Sequence, residues 1–185
     1  MVTPRRPADK APSPARAIIV MGVSGSGKTT LGGRLAKALG YRFIEGDDLR
    51  PPANVAKMSA GTALTDDDRW PWLDRVAERV RVLNDTGCVV SCSALKRAYR
   101  DHIRGRAGVA VTFVHPEVDF QILGFRMRDR PGHYMPPSLL DSQWATLERP
   151  GPDEGAIRLN GVLSLDALTT EVLAQLSERA RAGVR

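Results

Sequence analysis

A short apolar run, Ile18-Ile19-Val20-Met21, passes directly into Gly22-Val23-Ser24-Gly25-Ser26-Gly27-Lys28-Thr29-Thr30, and Leu31, Leu35, Ala38 and Leu39 then mark one face of a helix. No other stretch constrains the fold as tightly. The apolar run suits a strand buried on both faces, as in parallel sheets. Glycines at 22, 25 and 27 let the backbone turn sharply and aim several N–H groups at one point, forming an anion nest. A helix opening near Lys28 adds the positive end of its dipole. In the pattern G-x-x-x-x-G-K-T the lysine neutralises β- and γ-phosphate charge and the threonine hydroxyl reaches Mg²⁺; here these are Lys28 and Thr29. A glycine–serine linker has no need of strand, loop, lysine and helix in that order. Residues 22–30 predict a nucleoside triphosphate site with Mg²⁺.

A chain of 185 residues is large enough for one domain with a substantial core. Its net charge of +6 is unevenly placed. Residues 1–16 carry a net +3 (Arg5, Arg6, Lys10 and Arg16 against Asp9), and residues 176–185 a net +2 (Arg179, Arg181 and Arg185 against Glu178). The body is therefore close to neutral, and with aromatic residues at only 5% a nucleic-acid surface is weakly supported. No apolar run approaches the roughly 18 residues of a membrane helix. Residues 1–16, with four prolines and few apolar side chains, read as a disordered basic tail before a domain at 17–182. The Arg5-Arg6 pair does not make an export signal, because only five apolar residues precede the glycine loop and the first strand needs them. On one strand, Cys88 and Cys92 stand roughly 13 Å apart, too far for a disulfide. Two buried thiols suit a reducing cytosol.

Strand-like and helix-like segments alternate along the whole chain, predicting a parallel sheet with helices on both faces. Arg42 to Glu45 is a short strand ending in Gly46-Asp47-Asp48, where ligands of open parallel sheets gather. Pro51-Pro52 forces a turn before a short helix carrying Lys57. Thr65 or Asp66 caps a helix whose apolar positions are 70, 73, 76, 77, 80 and 83. Helix capping is the expected task of at least two of Asp66, Asp67 and Asp68. Cys88 to Cys92 is a third strand, leading to the polar corner Ser93-Ala94-Leu95-Lys96. Many P-loop sequences end this strand in an aspartate for the metal's water shell. This strand ends in serine, so another residue must serve. Val109 to Val114 is a fourth strand, followed by a helix from about Pro116; a fifth spans Ala156 to Asn160, and a helix spans Leu165 to Leu176. Arg126, Arg128, Arg130 and His133 stand before a double proline, with Gly132 as pivot, and 125–137 has the make-up of a phosphate-clamping lid. His102 and His115 are expected to be surface or structural residues.

Taken together, these pieces resemble the gluconokinases. The resemblance rests on the loop at 22–29, Gly46-Asp-Asp-Leu49, Asn54-Val-Ala-Lys-Met58, Leu64-Thr-Asp-Asp-Asp-Arg69 with Pro71-Trp-Leu73, Cys92-Ser-Ala-Leu-Lys96 with Tyr99-Arg-Asp101, Gly132-His133, and Gln143 through Glu148. It covers about residues 17–160, and the block from Cys92 to Asp101 is far more specific than the glycine loop. It implies a three-layer fold like that of the nucleoside-monophosphate kinases, with a five-stranded parallel sheet and a mobile lid. It also implies ATP and Mg²⁺, a D-gluconate acceptor phosphorylated to 6-phosphogluconate, and a cytosolic homodimer. Arg50 stands where the family usually has histidine, and Ala63 replaces a common proline.

On that footing Gly25, Gly27 and Lys28 serve the phosphates, Thr29 the metal, and Asp47 accepts the proton of, or orients, the attacking hydroxyl. Cations for the acceptor's carboxylate are Lys57, Arg69, Lys96 and Arg100, in an acceptor segment at 47–73 together with the corner at Ser93. Arg126 and Arg130, with His133, stabilise the charge of the transferring group. Two alternatives are a kinase of another small hydroxylated acid and, from a different class, a nucleotide-dependent nucleic-acid-binding ATPase using the basic tails. The guanine-reading Asn-Lys-x-Asp sequence is absent.

Overall fold

The computed structural model describes residues 16–128 and 137–183; the tail at 1–15, and Arg130 and His133 of the expected lid, lie outside the described residues. Five strands, β1 (Ala17–Val20), β2 (Arg42–Glu45), β3 (Cys88–Ser91), β4 (Val111–Glu117) and β5 (Ile157–Asn160), form one sheet in the order β2-β3-β1-β4-β5. Every pairing is parallel. The helices are α1 (Lys28–Leu39), α2 (Pro52–Ser59), α3 (Asp66–Leu83), α4 (Arg97–Ala107), α5 (Phe120–Arg128), α6 (Pro137–Thr146) and α7 (Leu165–Ala182).

Period-two alternation in β1 divides the core. Ile19 packs with Trp72, Val76, Val80 and Ile103 on the α3/α4 face, while Ile18 and Val20 pack with Leu31, Leu35, Val172 and Leu176 on the α1/α7 face. Because β1 is covered on both sides, all four of its residues are fully buried, as its apolar sequence anticipates. A smaller cluster of Val23, Leu95, Val118, Leu123 and Leu140 closes the space beyond the strands' carboxyl ends. The central strand β1 has β3 on one side and β4 on the other. The chain changes direction there, and the crevice beyond these strand ends is where such sheets hold ligands.

Two boundaries depart from expectation by more than two residues. β4 runs on to Glu117, so Pro116 is a strand residue and not a helix start. β1 pairs with β4 only as far as Val114, and beyond it Pro116 has β5 alone as partner, so a ladder bond from its nitrogen is not required on the open side. α7 continues about six residues past Leu176 because no breaker intervenes before Gly183, and Arg179 ties the extension down by donating to Gly155 O at 2.6 Å. Helix α3 starts as expected with a capping box: Thr65 Oγ1 accepts from the Asp68 N–H, and the Asp68 carboxylate accepts from the Thr65 N–H at 2.9 Å. Cys88 and Cys92 are free and buried, and burial pushes their thiols up to about 11 and about 12, so neither is a reactive thiolate.

Candidate active site

Strand β1 delivers the chain to the glycine loop with Gly22, Gly25 and Gly27 at φ of 131°, 80° and 91°. These are left-handed conformations that side chains resist, which is why the sequence needs glycine there. The loop is tied from outside: the Gly22 N–H donates to Ser93 O at 3.1 Å, and the Ser24 N–H to Gln143 Oε1 of α6 at 2.8 Å. From inside, Ser26 Oγ donates to Val23 O at 2.8 Å. The Ser93 corner is thus in direct contact with the phosphate loop, as transfer between the two requires.

Lys28 begins α1, is half-buried, and donates to Val23 O at 2.9 Å. Burial lowers its pKa from the usual lysine range, against the opposing pull of Asp47 and Glu45. Thr29 and Thr30 follow on the exposed first turn. Thr29 Oγ1 donates to Glu45 Oε2 at 2.7 Å, and Ser91 Oγ donates to Glu45 Oε1. β3 ends at Ser91, two residues before the Ser93 expected to close it, and Ser91 presents a carboxylate borrowed from the end of β2. Sequence reasoning missed Glu45. The signal was present all the same: an acidic residue at a strand's carboxyl end, beside a strand that ends in serine.

Next to Glu45 the chain enters a 3-10 turn, Gly46–Leu49. A β-carbon on Gly46 would lie 2.1 Å from Ser91 O, so only glycine lets β2 come this close to β3. The Trp72 indole N–H donates to Gly46 O at 2.7 Å from a fully buried ring. Trp72, outside the apolar stripe expected for α3, is thus the residue that fixes the backbone before Asp47. The Asp47 carboxylate is half-exposed and pairs with Arg50 at 2.7 Å.

Beyond Asp47 a narrow pocket is lined by Arg50, Met58, Leu64, Arg69, Ser93 and Gln143. Arg69 is only 7% exposed, with its guanidinium 5.7 Å from the centre of the Tyr99 ring. Burial lowers its pKa, and the positive charge of Arg50 adds to the effect. The lining of the pocket holds two guanidiniums and no carboxylate.

The other expected acceptor cations are placed differently. Arg100 is fully buried and cannot meet a ligand: Nε and Nη2 donate to Glu154 at 2.5 and 2.8 Å, and Nη1 to the carbonyls of Ala94, Leu95 and Glu148. Its work is to hold the corner, where Ala94 sits at a φ of 40° that costs a non-glycine residue energy. Lys57 and Lys96 are each held at 2.7 Å by a carboxylate of α3's first turn, Asp68 and Asp66 respectively. On the far side of the loop, Arg126 bridges from α5: Nη2 donates to Gly161 O at 3.1 Å, and Nη1 makes a long 3.5 Å contact with Gly25 O. His115 lies buried beneath the loop, with its ring 3.3 Å from where a Gly22 β-carbon would be, and burial lowers its pKa to about 4.

The nest of glycine-loop amides, the α1 terminus and Lys28 fit a triphosphate, and Thr29 with Glu45 forms a hydroxyl–carboxylate pair suited to a hard cation and its waters. Comparison with known proteins agrees with this geometry. A family model described as an AAA domain matches residues 18–150. A gluconokinase of Gluconobacter oxydans is 49% identical over 162 residues, covering 85% of this chain and 89% of its own. The thermosensitive gluconokinase of Escherichia coli is 48% identical over 139 residues, covering 74% and 73%. The crystal structure of a gluconokinase from Sinorhizobium meliloti superposes with a TM-score of 0.83 at 46% identity, covering 91% of this chain and 95% of that one. The chain belongs to the gluconokinase family of P-loop kinases.

Proposed function

We propose that this protein transfers the terminal phosphoryl group of ATP to the 6-hydroxyl of D-gluconate, giving 6-phosphogluconate and ADP. The observation that carries the proposal is the direct contact between the phosphate loop and an acceptor corner whose adjoining pocket is lined by two guanidiniums. Asp47 takes the proton as the hydroxyl oxygen bonds to the γ-phosphorus, and the bond from that phosphorus to the β-phosphate's bridging oxygen breaks. Arg69 and Ser93 receive the acceptor's carboxylate. Lys28 and Arg126 neutralise phosphate charge, joined by Arg130 and His133 from the segment at 125–137, which serves as a lid. Thr29 and Glu45 would hold Mg²⁺, which when bound would supply charge neutralisation for the phosphates. We place the enzyme in the cytosol as a homodimer, on the strength of its family; among the described residues no helix is long and apolar enough to cross a membrane.

The test is ADP release measured with D-gluconate, other aldonates, neutral polyols and nucleoside monophosphates as acceptors. Gluconate is expected to give the highest kcat/KM, and Lys28→Ala to abolish turnover. A neutral polyol or a nucleotide matching gluconate would refute the assignment.

A further inference from the structure

Arg50 lines the acceptor pocket beside Arg69 but has been given no step in the mechanism above, and its setting is closely constrained. Its Nη2 meets Asp47 Oδ1 at 2.7 Å, and its guanidinium lies 4.9 Å from the centre of the Trp72 ring. Its backbone N–H donates to Asp47 O at 3.2 Å, closing the 3-10 turn. The side chain is 13% exposed, and Nε is buried without a hydrogen-bond partner. Trp72, through its bond to Gly46 O, anchors the backbone entering Asp47 while its ring supports the guanidinium that grips the carboxylate. The charged groups that feel Arg50 are Lys28 at the head of α1 and Arg69 on α3, so a cation here is costly unless Asp47 answers it.

We propose that Arg50 is a positioning residue for Asp47: it holds Oδ1 and leaves Oδ2 for the acceptor hydroxyl, a role that rests on the assignment of Asp47 as the base. Without this grip a half-exposed carboxylate rotates about its own side-chain bonds, and the reacting geometry is occupied for a smaller fraction of the time. Arginine suits the task because its planar fork is always charged and stacks on an aromatic face.

Arg50→Met is expected to lower kcat by about 10²-fold while the KM for ATP stays within about threefold. Arg50→Lys, which keeps the charge and loses the fork, falls between that variant and the wild type. Arg50→His gives the readout that packing alone would not move. Its kcat, divided by the wild-type kcat at the same pH, should decline as pH rises through about 6.5 or somewhat above, as the imidazole loses its proton; the ratio cancels any titration of His133 that the two proteins share. The double variant Asp47→Asn with Arg50→Met should be little slower than Asp47→Asn alone, because the two residues act as a unit. Wild-type turnover in Asp47→Asn would refute the base assignment itself. A collapse in Asp47→Asn with Arg50→Met within about twofold of wild type would refute the positioning role alone. If Arg50→Met fails to fold, an Arg50→His profile parallel to that of the wild type refutes it equally.

Discussion

Two arginine–carboxylate pairs flank the Ser93 corner, and they differ in nearly every physical respect. Arg100 and Glu154 are 0% and 2% exposed, and three carbonyl oxygens surround Nη1 of the guanidinium. Arg50 and Asp47 share a single 2.7 Å contact, with Asp47 51% exposed and Arg50 Nε left over. The closed pair can do nothing but hold backbone. The open pair has unspent hydrogen-bonding capacity facing the cleft, which is what substrate and reaction require. A buried pair contributes mainly through the cost of breaking it, whereas a half-open one contributes through what it can still bind.

The sharpest way to break this contrast is to remove one carboxylate from each pair. Asp47→Asn should lower kcat by about 10²- to 10⁴-fold, with ATP affinity nearly unchanged and a smaller loss of stability than at Glu154, because the half-exposed Asp47 leaves Arg50 closer to water than Arg100 is. Glu154→Gln should do the reverse: a destabilisation of about 3–5 kcal/mol, since it strands a buried guanidinium, with near-normal turnover per folded molecule. Denaturant unfolding and steady-state kinetics on both variants decide it. If Glu154→Gln lost turnover without losing stability, the closed pair would have to be counted part of the catalytic site.

The pH dependence of stability gives the closed pair a signature of its own. The hydrogen bonds from Arg100 hold the Glu154 carboxyl down at about 2, below its ordinary 4.5. A depressed carboxyl contributes stability that is complete above its ordinary pKa and is lost as pH falls towards the folded value. His115, lowered to about 4 by burial, must take up a proton on unfolding, so its contribution is lost as pH falls from 6.5 towards 4. Melting temperature should therefore decline in two windows, 6.5 to 4 and 4.5 to 2; Glu154→Gln should shrink the lower one, which Asp66, Asp68, Asp74, Glu78 and Glu117 also feed, and leave the upper one in place.

Much of the architecture was legible because it depends on local pattern. Alternating apolar runs and amphipathic stretches specify a parallel sheet, and the glycines at 22, 25 and 27 specify the loop whatever surrounds it. β4 was misjudged at its end because Pro116 has the same local signature at a helix start as on a strand's open side. Only the length of β1 distinguishes the two. Within the site, Arg100 and Lys96 are one helical turn apart and looked alike as candidate ligands. Nothing nearby in sequence reveals that Arg100 faces Glu154, 54 residues on, while Lys96 meets Asp66 in solvent. Glu45 was hidden for the same reason, since its meaning comes from Thr29 and Ser91 on two other elements.

Among the acceptor cations the same distinction sets an order of effects. Arg69 lies in the pocket with no carboxylate in its lining. Arg69→Met should raise the KM for gluconate by about 10- to 100-fold, the worth of one or two charged hydrogen bonds, with kcat less affected. A neutral polyol's weaker turnover should be insensitive to the change.

The smallest effect is expected at Lys96. Its ammonium already has both Asp66 oxygens at 2.7 and 2.8 Å, and Tyr99 adds its hydroxyl to the same carboxylate at 2.5 Å. To bind an acceptor, Lys96 would have to leave these partners, so little of its charge is available to a ligand. Because the pair is partly exposed, solvent screens some of what remains. Lys96→Met should therefore leave the KM for gluconate within about threefold, and the same argument covers Lys57 beside Asp68. A tenfold rise in KM at Lys96 would mean that Asp66 releases the lysine when acceptor arrives. In that event an exposed, satisfied ion pair would be a latent part of the acceptor site, and the line drawn between closed and open pairs would have to be redrawn around which partners can exchange.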